Sequence, residues 1–171
     1  MPQKFINSLY ISFIIILISF SARSAEEPTS IGKFKDWETF TMNENNNKIC
    51  FAQSIPILRA PKKFERDPSR LFVSFRPTEN IKDEVSATSG YTFQKKKIVT
   101  AKTGKKTFDF FSEENFAWIL DVEEEQKFIK AMKKASRVMI IGRTHKGKQT
   151  IDHYSLMGFS KAYDTAKKNC N

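Results

Sequence analysis

Two short segments near the C-terminus hold residue types that do chemistry elsewhere. Gly142-Arg143-Thr144-His145-Lys146-Gly147-Lys148 satisfies most of the phosphate-loop spacing G-x-x-x-x-G-K, but the next residue is Gln149. A Ser or Thr should stand there to hold Mg²⁺. A phosphate loop also needs a helix N-terminus behind it, whereas Gln149 to Leu156 alternates like a strand. The segment therefore reads as a basic hairpin tip, with no nucleotide expected. Asp152-His153-Tyr154-Ser155 contains the residue types of a hydrolase triad. On a strand, His153 and Ser155 share one face and Asp152 points to the other, so the acid is badly placed to orient the histidine. No Gly-x-Ser-x-Gly elbow accompanies them. The reading is ordinary strand residues around a hydrogen-bonded tyrosine, with no catalytic residue assigned.

Metal chemistry finds little support. His145 and His153 are the only two histidines, and Cys50 and Cys170 the only two cysteines. Glu123-Glu124-Glu125 lacks the alternating oxygen ligands and central Gly of a calcium loop, and reads as the solvated acidic first turn of a helix. No metal and no cofactor is expected. What recurs is positive charge: Lys95-Lys96-Lys97, Lys102 with Lys105 and Lys106, Lys130 with Lys133 and Lys134, and Arg143 with Lys146 and Lys148. Lys95, Lys96, Lys97, Lys105, Lys106, Arg143, Lys146 and Lys148 are the candidate contacts to an anionic surface. The first two clusters are expected to flank one β-turn region and the last to sit at another hairpin tip. The sixteen phenylalanines are spaced as core residues, not as a ligand pocket.

The elements that would carry these groups are mostly short strands. Residues 37–42 and 48–57 form a predicted hairpin across the turn-prone Asn43 to Asn47, with Cys50 on its second strand. Pro56, Pro61 and Pro68 mark loop. Arg70 to Arg76 is a strand with Leu71, Val73 and Phe75 on one face. Further strands are expected at 84–88, 91–94, 97–101, 107–111 and 116–120, then a hairpin of 137–144 with 148–156. Val122 to Lys134 is a predicted helix, capped by Asp121, with Val122, Phe128, Ile129 and Met132 as its apolar stripe. In Gly158 to Cys170, the residues Phe159, Ala162, Tyr163, Ala166 and Cys170 fall on one helical face. The fold class is β-rich: a mainly antiparallel sandwich or barrel with two α-helices, one of them C-terminal, in a single domain.

The N-terminus supplies the compartment. Phe5 to Phe20 is an apolar run of about 16 residues, short of the roughly 20 that span a bilayer. Lys4 precedes it and the small-residue stretch Ser21 to Ala25 follows, the three-part pattern of a secretory signal. Residues 1–24 are read as the signal peptide, cleaved before Ala25, residues 25–35 as a short linker, and 36–171 as the domain. The net charge of +10, reduced by loss of Lys4 and Arg23, favours anionic surfaces. Export makes nucleic acid an unsuitable partner. An even cysteine count in an exported chain reads as one disulfide, Cys50–Cys170.

The same segments also make up a familiar pattern. Phe128-Ile129-Lys130-Ala131-Met132-Lys133-Lys134, Val138-Met139-Ile140, and Gly147 with Thr150 lead to Asp152-His153-Tyr154-Ser155-Leu156-Met157-Gly158-Phe159 and Cys170. Upstream stand Asp36-Trp37-Glu38, Lys48-Ile49-Cys50-Phe51-Ala52, Phe75-Arg76-Pro77, Glu84-Val85-Ser86, Gly90-Tyr91-Thr92-Phe93 and Ala117-Trp118. This resembles the invasion-associated locus B family over residues 36–170. Ala135 replaces an expected Gly, and the turn at Arg143 to Lys146 is more basic than usual. The resemblance implies an exported bacterial protein, periplasmic or outer-membrane-associated, with no catalytic residues to transfer. The function expected is non-enzymatic binding or envelope maintenance, with an anionic envelope component or another envelope protein as partner. The alternative is a host-cell interaction factor, and a hydrolase using His153 and Ser155 is the remote one.

Overall fold

The computed structural model describes residues 27–170; the signal segment 1–24 read from the sequence lies outside them. The strands are β1 (Thr29–Phe34), β2 (Trp37–Glu44), β3 (Asn47–Ser54), β4 (Leu58–Ala60), β5 (Arg70–Arg76) and β6 (Ile81–Thr88). They continue with β7 (Val99–Thr103), β8 (Lys106–Glu113), β9 (Phe116–Trp118), β10 (Arg137–Arg143) and β11 (Gln149–Ser155). The helices are α1 (Val122–Met132) and α2 (Phe159–Asn169). All strand pairs are antiparallel, in the order β1-β2-β3-β5-β6-β9-β8-β7-β10-β11-β4. Over the described residues, the β-rich single domain with two α-helices expected from the sequence is what forms.

Strand β8 is the corner. Its first half pairs with β7 (Val99 opposite Phe110) and its second with β9 (Phe111 opposite Trp118). One strand thus serves two halves of the sheet, and both halves turn their inner faces to one core. Leu71, Val73, Val85, Val99, Phe110, Val138 and Ile140 are fully buried there, placed by strict alternation. The apolar side of α2, namely Phe159, Ala162, Tyr163 and Ala166, is buried as its spacing requires, next to β2 and β3. In α1, Phe128 meets Phe108 and Phe110 at ring distances of 4.9 and 5.5 Å. Asp121 caps α1, accepting from the Glu124 N–H at 2.8 Å.

The first strands and the last helix of the described residues meet along a seam. Trp37 Nε1 donates to the Ser155 carbonyl (2.9 Å), Thr39 Oγ1 to the Ala162 carbonyl (3.0 Å) and the Asp36 N–H to the Met157 carbonyl (3.3 Å). Gly158, at φ 92°, lies so close to Phe34 that an added Cβ would stand 1.8 Å from its carbonyl oxygen. No side chain fits that position. A Cys50–Cys170 disulfide joins β3 to the end of α2, with Cα atoms 5.8 Å apart.

Several sequence expectations need correction. Residues 29–34, read as linker, form the edge strand β1, because Thr29 to Phe34 find a backbone partner in Trp37 to Thr41. The proline-marked stretch contains β4, which fits between Pro56 and Pro61 because an edge strand needs bonds on one side only. Residues 91–94 make a single bridge, Phe93 with Thr144, not a strand. Val122 is exposed and off the buried stripe of α1, while Glu125 is buried, not solvated. The phenylalanines do not all enter the core, since Phe40, Phe51, Phe72, Phe111 and Phe116 lie outside it.

Candidate functional site

The lysine clusters are redistributed relative to the sequence reading. Strand β7 separates Lys95–Lys97 from the Gly104–Lys105 turn, and its five residues span roughly 13 Å. Lys105 and Lys106 are therefore at the opposite end of that strand, not beside Lys95–Lys97. What approaches Lys95–Lys97 is the β10–β11 tip. The Gln94 N–H donates to the Arg143 carbonyl (2.9 Å), the His145 N–H to the Thr92 carbonyl (3.0 Å), and Phe93 bridges Thr144. Lys95, Lys96, Lys97, Arg143, Lys146 and Lys148 thus form one basic end, all exposed. Two of them are also held within the protein. Arg143 donates to the Gly147 carbonyl and Gln149 Oε1, and Lys148 Nζ sits 4.4 Å from the centre of the Phe64 ring. After Lys148 comes strand β11, so the tip does not lead into a helix as a phosphate loop does.

The Asp152 to Ser155 segment is also resolved into roles. Asp152 accepts both terminal nitrogens of Arg66, whose Nη1 is 2.8 Å from Oδ2. Arg66 Nη1 also reaches Ser69 Oγ (3.1 Å) and the Ser89 carbonyl (2.6 Å). The triad arrangement is not formed: the aspartate serves arginine, and Ser155 Oγ accepts from the Met157 N–H at 3.2 Å. Tyr154, expected to be hydrogen-bonded, is fully buried with no partner for its hydroxyl among the described residues. Burial, with Asp152 nearby, pushes its phenol well above the usual range. Among the described residues no three His, Cys, Asp or Glu side chains converge as a metal site.

The feature that sequence reasoning missed is the outer face of the sheet. Phe40 lies opposite Phe51 with rings stacked 5.3 Å apart, and Phe51 meets Phe72 edge-on at 6.1 Å. Across Ser86 the row resumes with Trp118, stacked on Phe111 at 6.4 Å and near Phe116 at 6.2 Å. Beyond it, Leu120 and Val122 are 72% and 70% exposed. A groove of about 670 Å³ runs along Ile81, Phe111, Trp118, Ile119, Leu120 and Val122. Alternation contained the signal: Phe51 and Phe72 occupy the polar parity of strands whose other parity is Cys50-Ala52 and Leu71-Val73-Phe75.

Beneath the groove lies a polar junction. Glu125 accepts the Val85 N–H at 2.6 Å. Burial raises its pKa to about 7, against the opposing hydrogen bond from Val85 and with support from the nearby charges of Glu84 and Asp83. Asp83 accepts Tyr163 Oη from α2 and Gln126 Nε2 from α1 (2.7 Å), so it ties both helices to β6.

No protein-family model matches this chain, and no curated protein matches it. Its structure is similar to the crystal structure of invasion associated protein b from Bartonella henselae. The TM-score is 0.56 at 14% identity, and the match covers 82% of this chain and 96% of that one. The chain therefore has the fold of that protein, in line with the resemblance read from its residues. Among the described residues no helix is long and apolar enough to cross a membrane.

Proposed function

We propose that this chain is a non-enzymatic exported binding module of the bacterial envelope, periplasmic or outer-membrane-associated, of the invasion-associated locus B kind. Its basic end engages an anionic envelope component. The observation that carries this reading is the union of Lys95–Lys97 with Arg143, Lys146 and Lys148, two clusters about 50 residues apart in sequence, joined by backbone hydrogen bonds. Clustered like charges held on a short turn and a hairpin tip concentrate positive potential, where scattered lysines would only solvate the surface. The fold shared with invasion associated protein b supports the family reading.

The test is co-sedimentation of the exported protein with phosphatidylglycerol vesicles over a salt series. Binding should weaken as salt rises, because exposed charges are screened over about a Debye length. Replacing Lys95, Lys96 and Lys97 by Ala should weaken binding much more than replacing Lys105 and Lys106. Equal effects from the two sets would show that net charge alone acts, and would remove the basic end as a site. A host-cell role is the second reading, favoured by the fold's occurrence in an invasion associated protein. Protease shaving of intact cells separates the two, since a periplasmic protein is protected.

A further inference from the structure

We infer that the outer-face groove around Trp118 is a docking site for a cationic amphipathic polypeptide segment, at a place distinct from the basic end. The groove presents an apolar strip that nothing among the described residues covers: Phe111 is 51% exposed, and Leu120 and Val122 more so. Soluble chains seldom leave contiguous apolar patches uncovered unless something binds them. The groove of about 670 Å³ adjoins a second depression of about 600 Å³ that shares Phe111, Ile119 and Leu120. Together they give room for more than one apolar side chain, as an amphipathic helix offers at i, i+3 and i+4.

Charge decides the occupant. In a chain of net charge +10, the two depressions are lined by a single cationic side chain, Lys82. Asp109, Glu113 and Asp121 stand on the rim, while Glu84 is matched by Arg76 at 2.8 Å and Glu124 by Lys127 at 2.7 Å. An acidic rim around an apolar floor attracts apolar residues flanked by Lys or Arg. The same rim opposes the two other obvious occupants. A second copy docking the same face would set carboxylates against carboxylates, and an anionic lipid surface would meet them likewise. The lysine loop that leads into β7 adjoins one end of this face, at β8 and the β8–β9 turn: Ser112 Oγ donates to the Lys97 carbonyl (3.4 Å), and the Phe93 N–H to the Glu114 carbonyl (2.7 Å).

The chain carries its own reporter. Of its two tryptophans, Trp37 is 1% exposed and Trp118 lines the groove, so emission changes of the intact protein read Trp118. The full exported chain is titrated with a synthetic amphipathic peptide of Leu and Lys, and with the matching Leu and Glu peptide. The expected result is a saturable blue shift with the Leu/Lys peptide alone, reversed by salt. Leu120→Asp and Phe111→Ala, both at exposed positions, should each weaken that binding about tenfold or more while far-UV circular dichroism stays unchanged. The proposal is overturned by no saturable shift, by equal binding of the Leu/Glu peptide, or by unchanged binding in both variants. A shift produced by concentrating the chain alone would instead assign the groove to a second copy. One produced by phosphatidylglycerol vesicles but not by the peptide would assign it to lipid. Loss of vesicle binding on replacing Lys95–Lys97, with peptide binding intact, keeps the two sites separate.

Discussion

Arg66 and Asp152, 86 residues apart, form a bidentate ion pair whose side chains are 1% and 0% exposed. The pair fastens the loop after β4 to the middle of β11, beneath the Tyr91 ring, 5.7 Å from the guanidinium. Two charges at that depth are tolerated because they neutralise each other in a bidentate pair and Arg66 donates further to Ser69 Oγ and the Ser89 carbonyl.

Removing one partner strands the other. Asp152→Ala should cost about 3–5 kcal/mol of unfolding free energy, and Arg66→Met a similar amount. The double variant should lose much less than the sum of the two. Urea unfolding of the four proteins, read as a double-mutant cycle, checks this; strict additivity would mean the pair is not coupled.

The disulfide closes a loop with a sequence separation of 120. Chain entropy then predicts that Cys50→Ser with Cys170→Ser lowers stability by about 4–5 kcal/mol. Reductant should reproduce the shift in the parent protein and leave the double variant unaffected. Mass spectrometry of the exported protein should find no free thiol.

Glu125 sets a pH dependence with a definite sign. Its pKa is about 7 in the folded chain against 4.5 as the ordinary value. Between these values the native state binds the proton more tightly than the unfolded state, so stability falls as pH rises from 4.5 to 7. Glu125→Gln keeps an oxygen for the Val85 N–H and carries no charge. It should stabilise the protein by about 2 kcal/mol at pH 8, have little effect near pH 4, and flatten the profile between. Thermal melts across this range show it.

Gly158→Ala should be severely destabilising, because the new methyl meets the Phe34 carbonyl oxygen at 1.8 Å and the backbone φ of 92° disfavours any side chain. Gly147→Ala, also at positive φ but with nothing within 4 Å, should cost only the conformational strain of about 1–2 kcal/mol. A melting difference between these two variants isolates the seam contact.

The local structure of this chain was largely legible in its residues, and the long-range assembly was not. Period-two alternation located β5 from Leu71, Val73 and Phe75, and helical spacing placed Phe159, Ala162, Tyr163 and Ala166 on the buried side of α2. Asp121 announced its cap. Strand β1 was missed because Thr29 to Phe34 carries weak β propensity and is held by its neighbour's backbone. Grouping the lysines failed for a similar reason, since the partner of Lys95–Lys97 is chosen by the Phe93–Thr144 bridge and not by nearness in sequence. Glu125 looks like any acidic first-turn residue until β6 is laid across it. The aromatic outer row was present as aromatic residues at polar parity, but burial was the stronger prior for phenylalanine.

The seam between Trp37 and Ser155 also dictates an order of events. Trp37, Thr39 and Cys50 find their partners 118, 123 and 120 residues later. A chain delivered from its N-terminus holds β2 and β3 with an uncovered inner face until α2 has emerged. Contacts of such separation are slow to form and leave apolar surface exposed meanwhile. The hairpin of β2 and β3 therefore waits for a helix made more than a hundred residues later, and its inner face stays uncovered until α2 packs against it.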